Sequence, residues 1–306
     1  MVTTGPVRER MATAGPPRGR GLVRRASAAL HRLPRVRLAA LLSAPLGWLL
    51  VVYLGSLAVL LAAAFWTTDP FTSNVVHTFT WDNLRQIAAS PVYRAVALRT
   101  VGVALLVTVI DAALALPMAF YLAKVARPRT RRLLLVAILM PLWASYLVKA
   151  YAWRLVLSEG GPLDWALRPL GLSGPGYGLA ATCVVLAYLW LPYMILPIYA
   201  GLDQVPTAVL DASADLGART GRTFRSVVLP LVYPAVIAGS IFTFALSLGD
   251  YIAVQIVGGP TQLIGNVMYA NITLNLPLAA AFGLVPVAII LLYLAAVRRT
   301  GALRAL

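Results

Sequence analysis

Six apolar runs dominate the chain, at about Leu38–Trp66, Val96–Ala123, Leu133–Leu157, Leu179–Leu202, Val227–Ile252 and Leu278–Val297. The hydrocarbon core of a bilayer is about 30 Å thick and takes roughly 20 mostly apolar residues per crossing helix. No water reaches that layer, so only helices and closed barrels satisfy their own backbone there. Runs this long and continuous predict helices, and hence an all-α integral membrane protein with six spans. The composition agrees: 60% hydrophobic residues, 12% charged residues and a mean hydropathy of +0.81 do not suit a soluble globular chain.

The formal charge of +16 is explained by where it sits rather than by a nucleic-acid partner, and none is expected. Of the 26 Lys and Arg, 20 lie before Leu38, in the Lys124–Arg132 turn, in the Asp203–Ser226 loop and after Val297. The three opposite loops hold only Arg85, Arg94 and Arg168. Basic loops stay in the cytoplasm, which predicts both termini and the Asp203–Ser226 loop inside. Residues 1–37 carry nine Arg with several Pro and Gly and read as a disordered tail at the membrane surface. After that tail come a first span over 38–66, an outer loop with a short amphipathic helix over 67–95, a five-helix core over 96–297 and a cytoplasmic end over 298–306. Leu61–Phe65 ("LAAAF") resembles a signal-peptidase site, but the apolar run before it is too long for a signal sequence, so an uncleaved span is expected.

Catalytic chemistry has little to stand on. The two histidines, His31 and His77, fall in the tail and in an outer loop, so no His-based metal cluster or nucleophile and base pair is available within the membrane. No phosphate-binding G-x-x-x-x-G-K-[ST] loop is present, and a nucleotide that powers this chain must be bound by another. The lone Cys183, inside the fourth run, reads as a small packing residue. Conduction, transport or anchoring remain.

The polar stretch Asp211–Pro230, "DASADLGARTGRTFRSVVLP", separates two spans. Pro206 is suited to open a helix, Thr207–Leu216 to form one, and Gly217 to end it in the left-handed conformation. Gly221 then allows a second turn before Phe224. Helices this short are marginal alone in water. Val209, Leu210, Leu216 and Phe224, with Asp211, Asp215, Arg219, Arg222 and Arg225, offer a partner both apolar and charged groups; an ordinary connecting loop is the plainer alternative.

The stretch resembles the "EAA" loop of ATP-binding-cassette (ABC) importer permeases: E-A-A, three residues, G, nine residues, then I-x-L-P. Asp211, Ala212 and Ser213 take the first three places, Gly217 follows at the right spacing, and Val227, Leu229 and Pro230 close the pattern. Asp for Glu, Ser for Ala and Val for Ile are the departures. "WDNLRQIAASPVY", "LMPLWASYLVKAYAWRLVLSEGGPLDWAL" and "SLGDYIAVQIVGGPTQLIGNVMYANI" are further similar to the first permease subunit of spermidine/putrescine importers. The resemblance implies the transmembrane fold of a type I importer in a bacterial inner membrane. It implies a second permease of a different sequence and two ATPase subunits that hold ATP and Mg. It implies an extracytoplasmic binding protein docking on Ser158–Tyr177 and Ala253–Asn275. A coupling loop containing Asp211, Ala212, Ser213, Gly217, Arg219, Leu229 and Pro230 would seat on the ATPase, and transport would proceed by alternating access. Related machines carry other small organic solutes, such as opines or aminophosphonates.

Charge within a span is costly and points to function. Asp250, beside Tyr251, is suited to a polycation through ion pairing and cation-π contacts; the alternative is an interfacial carboxylate exposed to water or paired with Lys149. Tyr151, Trp153 and Glu159 are expected at similar depth, as pathway groups or as interface aromatics. Asp111 sits mid-span and either lines a cavity or bonds between helices. Lys149 is expected to pair with Asp250 or Glu159. Pro117, Pro141, Pro192, Pro197, Pro230 and Pro234 interrupt spans, as fixed bends or hinges.

Overall fold

A computed structural model describes residues 34–69, 71–72 and 74–299. Most of the basic tail, His31 and the end beyond Arg299 lie outside these residues. The chain divides into two units, 1–59 and 60–306.

Helix α1 (Pro34–Trp48) runs through a π-helical segment, Leu49–Leu54, into α2 (Gly55–Ala63). A two-residue antiparallel ladder follows, β1 (Thr67–Thr68) on β2 (Val75–Val76), with Thr67 opposite Val76. Then come α3 (Asp82–Ala89) and α4 (Pro91–Phe120), which extends through a second π-helical segment, Tyr121–Val125. The remaining elements are α5 (Pro128–Trp143), α6 (Tyr146–Leu157), α7 (Pro162–Leu167), α8 (Leu179–Gln204), α9 (Thr207–Asp215), α10 (Thr220–Thr223), α11 (Leu229–Gly249), α12 (Ile252–Val257), α13 (Ile264–Asn271) and α14 (Leu276–Arg299). A third π-helical segment, Phe224–Val228, joins α10 to α11. The first two π-helical segments start four residues after a helical proline, Pro45 and Pro117.

Five stretches are long and apolar enough to cross a membrane: Leu41–Ala63, Pro91–Val125, Leu179–Gln204, Thr220–Gly249 and Leu276–Arg299. The run expected as one span over Leu133–Leu157, interrupted at Pro141, is two helices, α5 and α6, bent by 99°. Ala144 and Ser145 are both extended at the break, three and four residues after Pro141. The span expected to begin at Val227 starts at Thr220, because Gly221 is helical within α10 and makes no turn.

The core forms where α4, α8 and α11 pack on one another. Helix α8 is central, with 56% of its most apolar window buried, against 22% for α14. Its first half packs with Val103, Val107, Val254 and Val257, and its second half with Ala115, Ala119, Leu122, Val228 and Val232. Small residues permit the close approach. A Cβ on Gly201 of α8 would stand 2.6 Å from Cβ of Ala235 on α11, and one on Gly239 of α11 would stand 2.7 Å from Sδ of Met194. Small residues at crossings let backbones meet where no water is present to drive them together. Asn83 ties α3 to the chain before it, donating to the carbonyls of Ala64 (2.9 Å) and Trp66 (2.8 Å).

Gly201→Val is therefore expected to push α8 from α11 and destabilise the bundle by about 1–3 kcal/mol, the usual cost of overpacking. Thermal unfolding in detergent checks this, with Gly102→Ala, where a Cβ meets nothing within 4 Å, as the variant expected to keep its midpoint.

Candidate functional site

Two places gather polar groups that the spans do not need. The first lies between α8 and α11. Helix α8 ends at Gln204, only Val205 and Pro206 intervene, and α9 begins at Thr207. Its far end is closed by its own backbone: Ala218 N–H donates to Ser213 O (3.1 Å) and Gly217 N–H to Ala214 O (2.8 Å), with Gly217 at φ 76°. This is the Schellman pattern, and it favours glycine because a Cβ at positive φ crowds the carbonyl. Ser213 Oγ shares a 2.9 Å hydrogen bond with Thr223 Oγ1, stapling α9 to α10. Asp211, Ala212, Asp215 and Arg219 are exposed, Ser213 is buried, Leu229 is half-buried and Pro230 is exposed.

The apolar residues offered to a partner divide into two pairs. Leu210 and Phe224 pack inward on the core, Phe224 edge-on to Phe120 at 5.8 Å. Val209 and Leu216 remain exposed, Leu216 at 88%. Beneath the α9–α10 hairpin is an apolar hollow of about 650 Å³, lined by Leu116, Pro117, Phe120, Leu210 and Phe224 among others.

The second place is at the opposite end of α11. Gly249 closes that helix, and Asp250 is extended and only 8% exposed. One carboxylate oxygen accepts the Ala253 N–H at 3.0 Å, and the Tyr146 hydroxyl donates to the other. Tyr146 opens α6, so the break after α5 aims this hydroxyl at Asp250. Tyr146, Trp190, Gly249, Asp250 and Tyr251 border a hollow of about 300 Å³. The Trp190 indole N–H has no hydrogen-bond partner among the described residues. Tyr251 stacks on Tyr269 at 4.9 Å. Tyr146 and Trp190 escape a sequence reading because an aromatic inside an apolar run looks like packing; only the chain break brings the first to Asp250.

Other expected pathway residues lie elsewhere. Tyr151 is 56% exposed and Glu159 is exposed, and neither borders the hollow. Trp153 packs with Tyr188 at 5.3 Å. Asp111 is 0% exposed, and neither oxygen has a partner among the described residues, so the expected bond between helices is not made. The expected Lys149 pairing with Asp250 or Glu159 is also absent. The ion pairs among the described residues are Arg85–Asp82 (4.0 Å), Arg131–Asp203 (2.9 Å) and Arg168–Asp164 (3.5 Å). Asp250 takes a hydroxyl and an amide instead, which satisfy it without a second buried charge.

The segment between α6 and α8 is shaped by Asp164, which accepts the Gly174 N–H (3.1 Å) as well as facing Arg168. The amide bond, more than the nearby cation, holds this carboxyl below the usual carboxylate range. Trp165, Leu170, Leu172 and Tyr177 around it are exposed.

These features define a multi-span helical membrane protein with a polar helical hairpin at one end of the bundle. The same fold occurs in a crystal structure of a bacterial ABC transporter involved in the import of the acidic polysaccharide alginate, at a TM-score of 0.69 and 16% identity over 90% of this chain and 99% of that one. The chain belongs to the family described as binding-protein-dependent transport system inner membrane component, whose model matches residues 87–300. It is 45% identical over 290 residues to the inner membrane ABC transporter permease protein YdcU of Escherichia coli K12, covering 89% of this chain and 92% of that one. It is 32% identical over 228 residues to the spermidine/putrescine transport system permease protein PotB of the same strain, covering 72% and 82%.

Gly217→Val should cost about 1–2 kcal/mol at the left-handed position and loosen the hairpin. Trypsin cleavage at Arg219 and Arg222 is expected to accelerate in that variant and to stay near the parent rate in Gly217→Asn, since asparagine tolerates positive φ.

Proposed function

We propose that this chain is the permease subunit of an ATP-driven importer of a bacterial inner membrane and that its cargo is a polyamine. The α9–α10 hairpin supports the first part. It is a polar, backbone-closed helical unit with Leu216 exposed beside Asp211, Asp215 and Arg219, a surface suited to a groove on a cytoplasmic partner. Two ATPase subunits occupy that role, binding the ATP and Mg that this chain has no loop to hold. The excess of Lys and Arg at the hairpin end supports a cytoplasmic position for that end and for both termini. A second permease, of a different sequence, completes the pathway. At the other end a solute-binding protein docks where Trp165, Leu170, Leu172, Ile272 and Leu274 are exposed. Binding protein and nucleotide each favour one conformation of the permease, which is all that alternating access requires.

The cargo rests on one observation, the carboxylate of Asp250 set among Tyr146, Trp190 and Tyr251. A flexible polycation is bound by a carboxylate and aromatic faces, and PotB, at 32% identity, carries spermidine and putrescine in its name. Uptake of labelled spermidine and putrescine by cells with and without the chain, energised and then depleted of ATP, tests both parts. ATP-dependent uptake that is lost on deletion and restored with the gene supports machine and cargo together. Unchanged uptake, with the chain expressed and no second polyamine system active, removes the polyamine and moves the search to other small solutes such as opines or aminophosphonates. Gentle purification that never brings an ATPase with the chain would point to an ion-driven transporter instead.

Asp250→Asn should lower uptake of the polycation about tenfold or more, the scale of a lost charge-assisted contact, while the complex assembles normally. Uptake kinetics identical to the parent would take Asp250 out of the pathway.

A further inference from the structure

The hairpin hangs from α8 by two extended residues, Val205 and Pro206 (ψ 119° and 139°). The backbone fixes such a link only in part. Pro206 restricts its own φ and confines Val205 to extended conformations, which leaves the Pro206 ψ to swing α9 against α8. Two basic residues remove that freedom. The Lys124 ammonium, in the π-helical end of α4, donates to the Val205 carbonyl. Arg131, in the first turns of α5, pairs with Asp203 at 2.9 Å and lies over the Tyr199 ring at 4.9 Å. Tyr199 and Asp203 are one turn apart on α8, so Arg131 lies along its last turns. The two cations thus clasp the root of the hairpin from α4 and α5.

The opposite side of the hairpin is not clasped. There an apolar hollow of about 650 Å³ lies among Leu116 and Phe120 of α4 and Leu210 and Phe224, with Phe224 edge-on to Phe120 at 5.8 Å. Open volume beneath and attachment at both ends make the hairpin a lever, held at its far end by Phe224 and the run of α10 into α11 and at its root by the two cations. Whatever displaces α9 therefore pulls on Lys124 and Arg131. From Arg131, α5 continues as a rigid helix to Trp143, and Tyr146, just past the 99° break, holds Asp250.

We infer that Lys124 and Arg131 are positioning residues that transmit displacement of the α9–α10 hairpin through α5 to the Tyr146–Asp250 site. This rests on the reading that the hairpin docks on a cytoplasmic ATPase. Coupling between distant sites travels through packed elements and polar contacts of this kind, and each contact here is half-exposed. An exposed ion pair contributes little to stability, so its removal loosens the linkage without unfolding the bundle.

The test uses the complete transporter in proteoliposomes, measuring solute moved per ATP hydrolysed, with the amount of co-purified ATPase and the unfolding midpoint recorded for each variant. Lys124→Met and Arg131→Ala are each expected to lower the transport-to-hydrolysis ratio about threefold or more, on the scale of one such pair, with ATPase recovery and midpoint unchanged. Lys124→Arg keeps the donor and should restore most of the ratio. In the cycle of Arg131→Ala, Asp203→Ala and the double variant, the double should be no worse than Arg131→Ala alone. Arg129→Ala, an exposed residue of α5, should leave the ratio at the parent value. Parent ratios in both Lys124→Met and Arg131→Ala would overturn the proposal, as would strictly multiplicative losses in the cycle. Failure of the parent chain to retain any ATPase would overturn the docking reading instead, a result visible before any ratio is taken.

Discussion

Everything in this bundle depends on bringing α8 close enough to α4 and α11 to bury it. Apolar burial does not drive helices together within lipid, so contact area has to come from shape. Gly201 against Ala235 and Gly239 against Met194 supply that shape by letting the two helices approach so closely that a Cβ on either glycine would clash. Once α8 is fixed, its two ends are fixed as well. One end delivers the Val205–Pro206 link and the hairpin; Trp190, further up the same helix, delivers a wall of the Asp250 hollow. The two places with unused polar chemistry are thus attached to one central rod.

The second consequence concerns the broken helix. A straight crossing through Leu133–Leu157 would leave Tyr146 facing along the bundle; the bend at Ala144–Ser145 presents its hydroxyl to Asp250. Asp250 in turn accepts the Ala253 N–H and so starts α12 as well as ending α11. A single carboxylate therefore organises three chain segments. Such satisfaction of both oxygens is what lets a charged residue type remain at 8% exposure.

The spans and the polar hairpin were legible in the sequence because each has a local cause. Twenty apolar residues in a row need only a bilayer to become a helix, and Gly217 at the end of a helical pattern has one conformation that glycine alone adopts cheaply. An interruption at Pro141 was legible in the third run, but not that it becomes a 99° break. Pro141 looks like Pro192 and Pro197, which sit inside an unbroken α8; what differs is a tertiary bond from Tyr146 that no spacing announces. Gly221 misled for the converse reason, since α10, the π-helical segment and α11 run on as one continuous helical stretch and carried it into a helix. Lys149 was assigned a partner by sign of charge alone, and the geometry gave Asp250 neutral donors.

The isolated carboxyl of Asp111 bears on how the protein is made. Helix α4 must enter the bilayer during synthesis before α8 and α11 exist to surround it. An aspartate at the centre of an inserting helix disfavours entry by roughly 2.5–3.5 kcal/mol, and each Leu, Ile, Phe or Val favours it by only about 0.3–0.6 kcal/mol. Several surplus apolar residues are then needed to outweigh one carboxyl. The stretch Pro91–Val125 has 35 residues, well beyond the roughly 20 that a crossing demands. Its length reads as ballast for biogenesis: the helix is long and oily enough to carry a polar passenger into the membrane before any neighbour arrives to shelter it.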